Sequence, residues 1–108
     1  MIASTPEPPY TAVIFTSVRT SGDDGYAAMA EAMTGLASQQ SGYLGHESAR
    51  DDVGITVSYW RTDEDARAWK AVAAHLVAQQ RGQEAWYSDY RVRVATVNRD
   101  YGPPGPER

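Results

Sequence analysis

The chain has 108 residues, with 10 Lys or Arg against 14 Asp or Glu for a formal net charge of -4, and no cysteine. That length predicts one domain able to bury a real core. Without cysteine there are no disulfides, thiolate zinc sites, iron–sulfur clusters or thiol catalysis. No apolar run approaches a membrane span, and the opening MIASTPEPPY has neither the basic start nor the apolar stretch of a signal peptide. No clustered basic face marks a nucleic-acid partner. The expectation is a soluble, cytoplasmic domain with no nucleic-acid or membrane partner.

All six prolines lie near the ends: Pro6, Pro8 and Pro9, then Pro103, Pro104 and Pro106. Proline removes a backbone donor and interrupts helices and central strands. The pattern predicts a single folded domain over residues 10–102 between disordered tails at 1–9 and 103–108.

Residues 10–19 (YTAVIFTSVR) are β-branched and aromatic and predict a strand. Val13, Ile14 and Phe15 are apolar on both parities, as in a strand covered on both faces. Ser21 to Gly25 read as a turn whose carboxylates, Asp23 and Asp24, cap a following helix. Over residues 26–40, Tyr26, Met29, Ala30, Met33, Leu36 and Ala37 recur at helical spacing on one face. Gly42 is placed to close that helix in a left-handed cap. Residues 43–50 and 55–60 predict an antiparallel hairpin around the turn Asp51–Gly54. Thr62 predicts the N-cap of a second helix, followed by Asp63, Glu64 and Asp65 and running to about Gln80. Its apolar stripe is Ala66, Trp69, Ala73, Leu76 and Val77. Residues 83–87 suggest a short helical turn, and 90–101 (YRVRVATVNRDY) a long strand. Val92, Val94 and Thr96 fall on one side of it, Arg91, Arg93, Val97 and Arg99 on the other.

The order β-α-β-β-α-β is the split βαβ of ferredoxin-like folds: an α+β domain with a four-stranded antiparallel sheet and two helices on one face. The uncovered sheet face, apolar through the first strand, predicts a homodimer in which two sheets pack together.

The chain contains two histidines, His46 mid-strand and His75 in the second helix. Each reads as structural or surface; His75 also reads as a general base or a haem or metal ligand. Trp69 and His75, six residues apart, lie about 120° from each other around the helix. Neither His-x-x-x-His nor a carboxylate–histidine pair at metal-binding spacing is present, and neither a Gly-x-Ser-x-Gly elbow nor a Gly-rich phosphate loop occurs. No metal or nucleotide cofactor is expected. The aromatic weight stands out: Phe15, Tyr26, Tyr59, Trp60, Trp69, Trp86, Tyr87 and Tyr90, mixed with Met29 and Met33. These rings read either as packing or as an apolar pocket between helices and sheet for a planar small molecule.

Two stretches carry a family resemblance. Gly42-Tyr43-Leu44-Gly45-His46-Glu47 resembles the Gly-aromatic-Leu-Gly opening of the second strand in the antibiotic biosynthesis monooxygenase (ABM) superfamily. Val57 to Ala66, with Tyr59-Trp60-Arg61-Thr62-Asp63-Glu64-Asp65, resembles that superfamily's strand–Trp–helix passage; Trp69 and His75 follow. The resemblance spans residues 10–101. It implies a homodimeric α/β barrel with a pocket in each subunit. The implied activity is cofactor-independent oxidation of an aromatic or polyketide-like small molecule by O2. In that reading His75 and Trp69 are catalytic, and Phe15, Tyr26, Met29, Met33, Trp86, Tyr87 and Arg93 line the pocket. Arg93 would stabilise an anion if its strand face reaches the cavity. One alternative is a haem-binding or haem-degrading monooxygenase, with Trp69 and His75 in the positions of the haem-site Trp and His. Against it, the Trp–His spacing is shorter than in those enzymes, and the first strand lacks their Asn, Asn98 being the chain's sole asparagine. A second alternative is a non-catalytic, dimeric small-molecule-binding protein of the same fold.

Overall fold

A computed structural model describes residues 1–22, 25–80 and 86–104. Six elements follow in the expected order: β1 (Tyr10–Arg19), α1 (Tyr26–Ala37), β2 (Tyr43–Arg50), β3 (Gly54–Trp60), α2 (Asp63–Gln80) and β4 (Tyr87–Val97). The strands form one sheet in the order β2-β3-β1-β4, every neighbouring pair antiparallel. This is the ferredoxin-like arrangement, with both helices on one face.

Register assigns the faces. Thr11 pairs with Trp60 on β3 and Thr96 on β4, and Phe15 pairs with Thr56 and Val92. Directly paired residues project to the same side. Thr11, Val13, Phe15, Ser17 and Arg19 therefore share a face with Trp60, Val92 and Val94. Val13 packs against the core of Ala37, Trp60, Ala66 and Trp69, which makes this the helix side. Trp60, fully buried, lies at the centre of the core, stacked on Trp69 with ring centroids 5.7 Å apart at 21° and edge-on to Tyr43 at 5.6 Å. Its indole N–H donates to Ser58 Oγ at 2.9 Å. Large flat rings in one layer each bury a large apolar area.

The α2 stripe packs inward as its spacing predicts, and Thr62 Oγ1 caps the helix by accepting from the Asp65 N–H at 3.0 Å. Several boundaries differ from expectation. α1 stops at Ala37 rather than Gln40. Gly42 is left-handed (φ 82°) but lies beyond the helix end; its carbonyl accepts from the Arg61 N–H at 2.8 Å, and its missing Cβ leaves room for the Asp65 carboxyl. The N-cap of α1 is Gly25, also left-handed, which supplies no side-chain cap; Asp23 and Asp24 fall outside the described residues. β4 runs from 87 to 97 rather than 90 to 101. A bulge at Val18/Arg19 brings Tyr87 opposite Arg19, and beyond Val97, the partner of Tyr10, β1 has no residue left to pair. Most of the turn expected at 83–87 lies outside the described residues. The segment ahead of β1, expected as a loose tail, lies on the outer sheet face. There the Ala3 N–H donates to Glu47 Oε2 at 2.9 Å and the Thr5 hydroxyl to Tyr10 Oη at 3.0 Å. Among the described residues no helix is long and apolar enough to cross a membrane.

Candidate functional site

The helix side of the sheet carries two aromatic clusters at opposite ends of β1. One is Tyr43, Trp60 and Trp69. The other gathers Phe15, Tyr26, Trp86, Tyr87 and Tyr90: Phe15 meets Tyr87 at 5.3 Å and Tyr90 at 5.7 Å, and Tyr26 meets Trp86 at 6.3 Å and Tyr87 at 5.7 Å. Trp60 is paired with Thr11 and Tyr87 with Arg19, so the anchoring positions lie roughly 26 Å apart at about 3.3 Å per strand residue.

Phe15 is held by β1, Tyr87 and Tyr90 by β4, and Tyr26 by the first turn of α1. The buried Trp86 is pinned through its carbonyl, which accepts from Thr20 N–H at 3.0 Å and Arg19 Nε at 2.9 Å. Arg19 also lies over the Tyr26 ring, 3.5 Å from its centroid. At the same end Arg50 Nη2 donates to the buried Ser17 hydroxyl at 2.5 Å, crossing β3 at Gly54, where a Cβ would collide with the guanidinium. Burial pushes the Tyr87 phenol well above the usual tyrosine range, and its hydrogen bond with Tyr26 adds to the shift; the Arg50 and Arg19 guanidinium charges oppose it.

Between the clusters α2 packs over β1 and β3. On β4, Val92 and Val94 face the helix side yet are 44% and 55% exposed, and Tyr90 is 44% exposed. The result is an exposed apolar strip of Phe15, Tyr87, Tyr90, Val92 and Val94, with phenols and two guanidinium groups at one end. Such a surface can stack a planar ring and hold an oxygen anion beside fixed cations.

Of the residues expected at a site, the structure brings Phe15, Tyr26, Trp86 and Tyr87 together. Met29 is buried on the inner face of α1, and Met33 packs against the Trp60–Trp69 core. Trp69 belongs to that core, His75 is exposed on α2, and Arg93, paired with Ile14, projects to the outer face of the sheet. Trp69 thus faces the core while His75 faces solvent, and the cations beside the strip are Arg19 and Arg50. Sequence reasoning did not single out Ser17, Arg19 or Arg50. Their β1 parity with Phe15 was a signal for the first two, whereas Arg50 enters by reaching over a neighbouring strand.

The outer face carries a separate cavity of about 350 Å³ lined in part by Tyr10, Tyr59, Glu47 and Asp100. Glu47 Oε1 accepts from the Tyr59 hydroxyl at 2.8 Å, and the Tyr10 hydroxyl donates to Asp100 Oδ2 at 2.5 Å. The Tyr59 bond and that from Ala3 hold the Glu47 carboxyl below its ordinary range, while burial and Glu47 push Tyr59 up to about 12. Among the described residues no group of three or more His, Asp or Glu is placed to hold a metal.

This fold and these aromatic surfaces define a small α+β domain of the ABM kind. The family model described as antibiotic biosynthesis monooxygenase matches residues 9–81, and the chain belongs to that family. It is 48% identical over 100 residues to the uncharacterized protein YqjZ of Bacillus subtilis, covering 91% of this chain and 88% of that one. A 43-residue stretch, 40% of this chain and 20% of the other, is 33% identical to a jasmonate monooxygenase of Pyricularia oryzae. Among solved structures, SnoaB, a cofactor-independent oxygenase from Streptomyces nogalater, shares the fold at a TM-score of 0.66. Identity there is 10%, with 91% of this chain and 100% of that one covered.

Proposed function

We propose that the protein is a cofactor-independent monooxygenase that oxidises an aromatic or polyketide-like small molecule with O2. The observation that carries this reading is the half-exposed apolar wall on the helix side of β4, continuous with the Phe15, Tyr87 and Tyr90 rings, in a chain of the ABM family. The SnoaB likeness in fold and the short jasmonate monooxygenase match support the same chemistry.

An electron-rich phenol with an activated methylene needs little from the protein once deprotonated. Its carbanion passes an electron to O2, the radicals combine at carbon, and loss of water leaves a carbonyl. The CH2 becomes C=O, one oxygen atom stays in the product, and the other leaves as water with both hydrogens. The apolar strip stacks against the ring, and the Arg19 and Arg50 charges favour the enolate or phenolate. His75, exposed on α2, is the assigned base, and Trp69, stacked on Trp60, keeps the helix that carries it in place. The working form is a cytoplasmic homodimer, a reading supported by the outer sheet face, where Ile14 and Val57 are half-buried and Val18 and Ile55 exposed.

The test is oxygen uptake with anthrones and naphthols, with flavin and metals removed, following quinone absorbance. Val94→Asp, at an exposed strand position, should keep the far-UV spectrum and lose activity. His75→Ala should lower kcat and shift its pH profile. Turnover unaffected by Val94→Asp would rule out the apolar strip as the site, and unchanged kinetics in His75→Ala would remove the base assignment.

A further inference from the structure

We infer that Arg19 and Arg50 select a substrate with a permanent carboxylate: Arg19 holds that group, Arg50 faces the enolate or phenolate oxygen, and the ring lies along Phe15, Tyr87 and Tyr90. The inference rests on the reading of the apolar strip as the ring-binding surface. The strip lies on the helix side, so it stays open when the outer sheet face packs against a second copy. Charge balance points to a second anionic group. Both guanidinium charges act on the Tyr87 hydroxyl, which gathers them around one point at the end of the strip. Tyr87 itself, its phenol pushed up by burial, is neutral at neutral pH. Among the described residues the one ion pair is Arg67–Asp63, so neither cation has a carboxylate partner there. Asp89, opposite Val18, projects to the outer face, and Asp51 and Asp52 in the β2–β3 turn form no ion pair with Arg50. A single enolate neutralises one of the two positive charges; a carboxylate on the same molecule neutralises the other.

Both cations are fixed by neutral partners. The half-buried Arg19 donates from Nε to the Trp86 carbonyl at 2.9 Å and from Nη2 to the Gly22 carbonyl at 2.9 Å, with its guanidinium 3.5 Å from the Tyr26 ring centroid. The exposed Arg50 donates from Nη2 to Ser17 Oγ at 2.5 Å and from Nη1 to the Ser17 carbonyl at 3.4 Å. Each guanidinium uses two nitrogens in these bonds and keeps further N–H donors of its fork. A planar carboxylate accepts from such a fork in a fixed geometry, and a neutral amide of the same shape does not. Phe15, Ser17 and Arg19 follow one another on one face of β1, about 6.6 Å per step at about 3.3 Å per residue. Arg50, anchored at Ser17, thus lies between the Phe15 ring and Arg19. A fused two- or three-ring system with its carboxylate at the far end spans that interval and brings a ring oxygen beside Arg50.

The experiment titrates the full chain with 2-naphthoate and, in parallel, with its neutral isostere 2-naphthamide, by calorimetry and by NMR at constant ionic strength. The naphthoate should bind saturably and at least about tenfold more tightly than the amide, a difference of roughly 1.4 kcal/mol. It should shift the ring signals of Phe15, the chain's one phenylalanine, and the Arg19 side-chain Nε–H; the amide should leave the latter in place. Arg19→Met, which keeps an apolar stem over Tyr26, should bring the two affinities within about threefold of each other. If that variant does not fold, the Arg19 Nε–H signal of the parent chain decides. Equal affinities for the two probes, no saturable naphthoate binding up to about 20 mM, an Arg19 signal unmoved by bound naphthoate, or a folded Arg19→Met with its preference intact would each overturn the proposal. Failure of the oxygenase reading gives a different result. A preserved naphthoate preference without oxygen uptake on any anthrone keeps the carboxylate site and removes the oxidation. Oxygen uptake on anthrones with equal probe affinities does the reverse.

Discussion

Replacing Trp69 separates a packing role from a chemical one. The ring is buried, stacked on Trp60 at 5.7 Å, with Ala37 and Ala66 in the same cluster. Truncation to alanine opens a cavity in the layer joining α2 to the sheet, and burial this complete costs roughly 3–5 kcal/mol for Trp→Ala, of which the ring stack accounts for about 0.5–1.5 kcal/mol. Against the roughly 5–15 kcal/mol that holds an ordinary domain folded, that is a large fraction. Tm should fall by roughly 12 °C or more at about 4–8 °C per kcal/mol. Trp69→Phe keeps a ring in the slot and should cost roughly 1–2 kcal/mol. Urea unfolding followed by far-UV circular dichroism gives both values. The kinetic partner experiment is kcat/KM of Trp69→Phe on any oxidised substrate, expected within a few-fold of the parent. A loss of less than about 1 kcal/mol in Trp69→Ala would refute the packing argument. A stable Trp69→Phe variant with activity reduced a hundredfold would move Trp69 into the chemistry.

Gly35, exposed in the last turn of α1 with open space where a Cβ would stand, should gain up to about 1 kcal/mol on substitution by alanine, read as a rise in Tm. Gly42→Ala should do the reverse by roughly 1–3 kcal/mol, because its φ of 82° is left-handed and an added Cβ would collide with the Asp65 carboxyl; equal melting points for the two variants would contradict the geometry. Glu47, with a lowered folded-state value, contributes stability that is present above its ordinary 4.5 and lost as pH falls through the folded value. Glu47→Gln should therefore flatten the acid limb of a stability–pH curve. Tyr59, raised from 10.0 to about 12, stays protonated when the unfolded chain already ionises. Stability should decline between those values as pH rises, and Tyr59→Phe should lessen the decline in alkaline denaturation experiments.

How much was readable in advance depended on the range of the interaction. The periods of Met29, Met33 and Leu36 on one helix and of Ala66, Trp69 and Ala73 on the other are set by neighbours a few residues away, and the structure keeps both stripes inward. The alternation of Val92 and Val94 against Arg91 and Arg93 likewise separates the two faces of β4. Which face is which was decided by the pairing of Phe15 with Val92 and Ile14 with Arg93. That pairing puts Arg93 on the outer face and leaves the helix-side end to Arg19 and Arg50.

The β-α-β-β-α-β order, the two amphipathic helices and the family resemblance were contained in the sequence, because periodicity and capping act over one or two turns of chain. Only the tertiary structure decided that Trp69 stacks on Trp60 while Phe15 gathers Tyr87 and Tyr90 at the far end of the same strand. It alone brought Tyr10 to Asp100 across 90 residues. Those contacts follow from register, a bulge at Val18/Arg19, and the point where a strand runs out of partner. They are long-range hydrogen-bonding choices that no local spacing encodes.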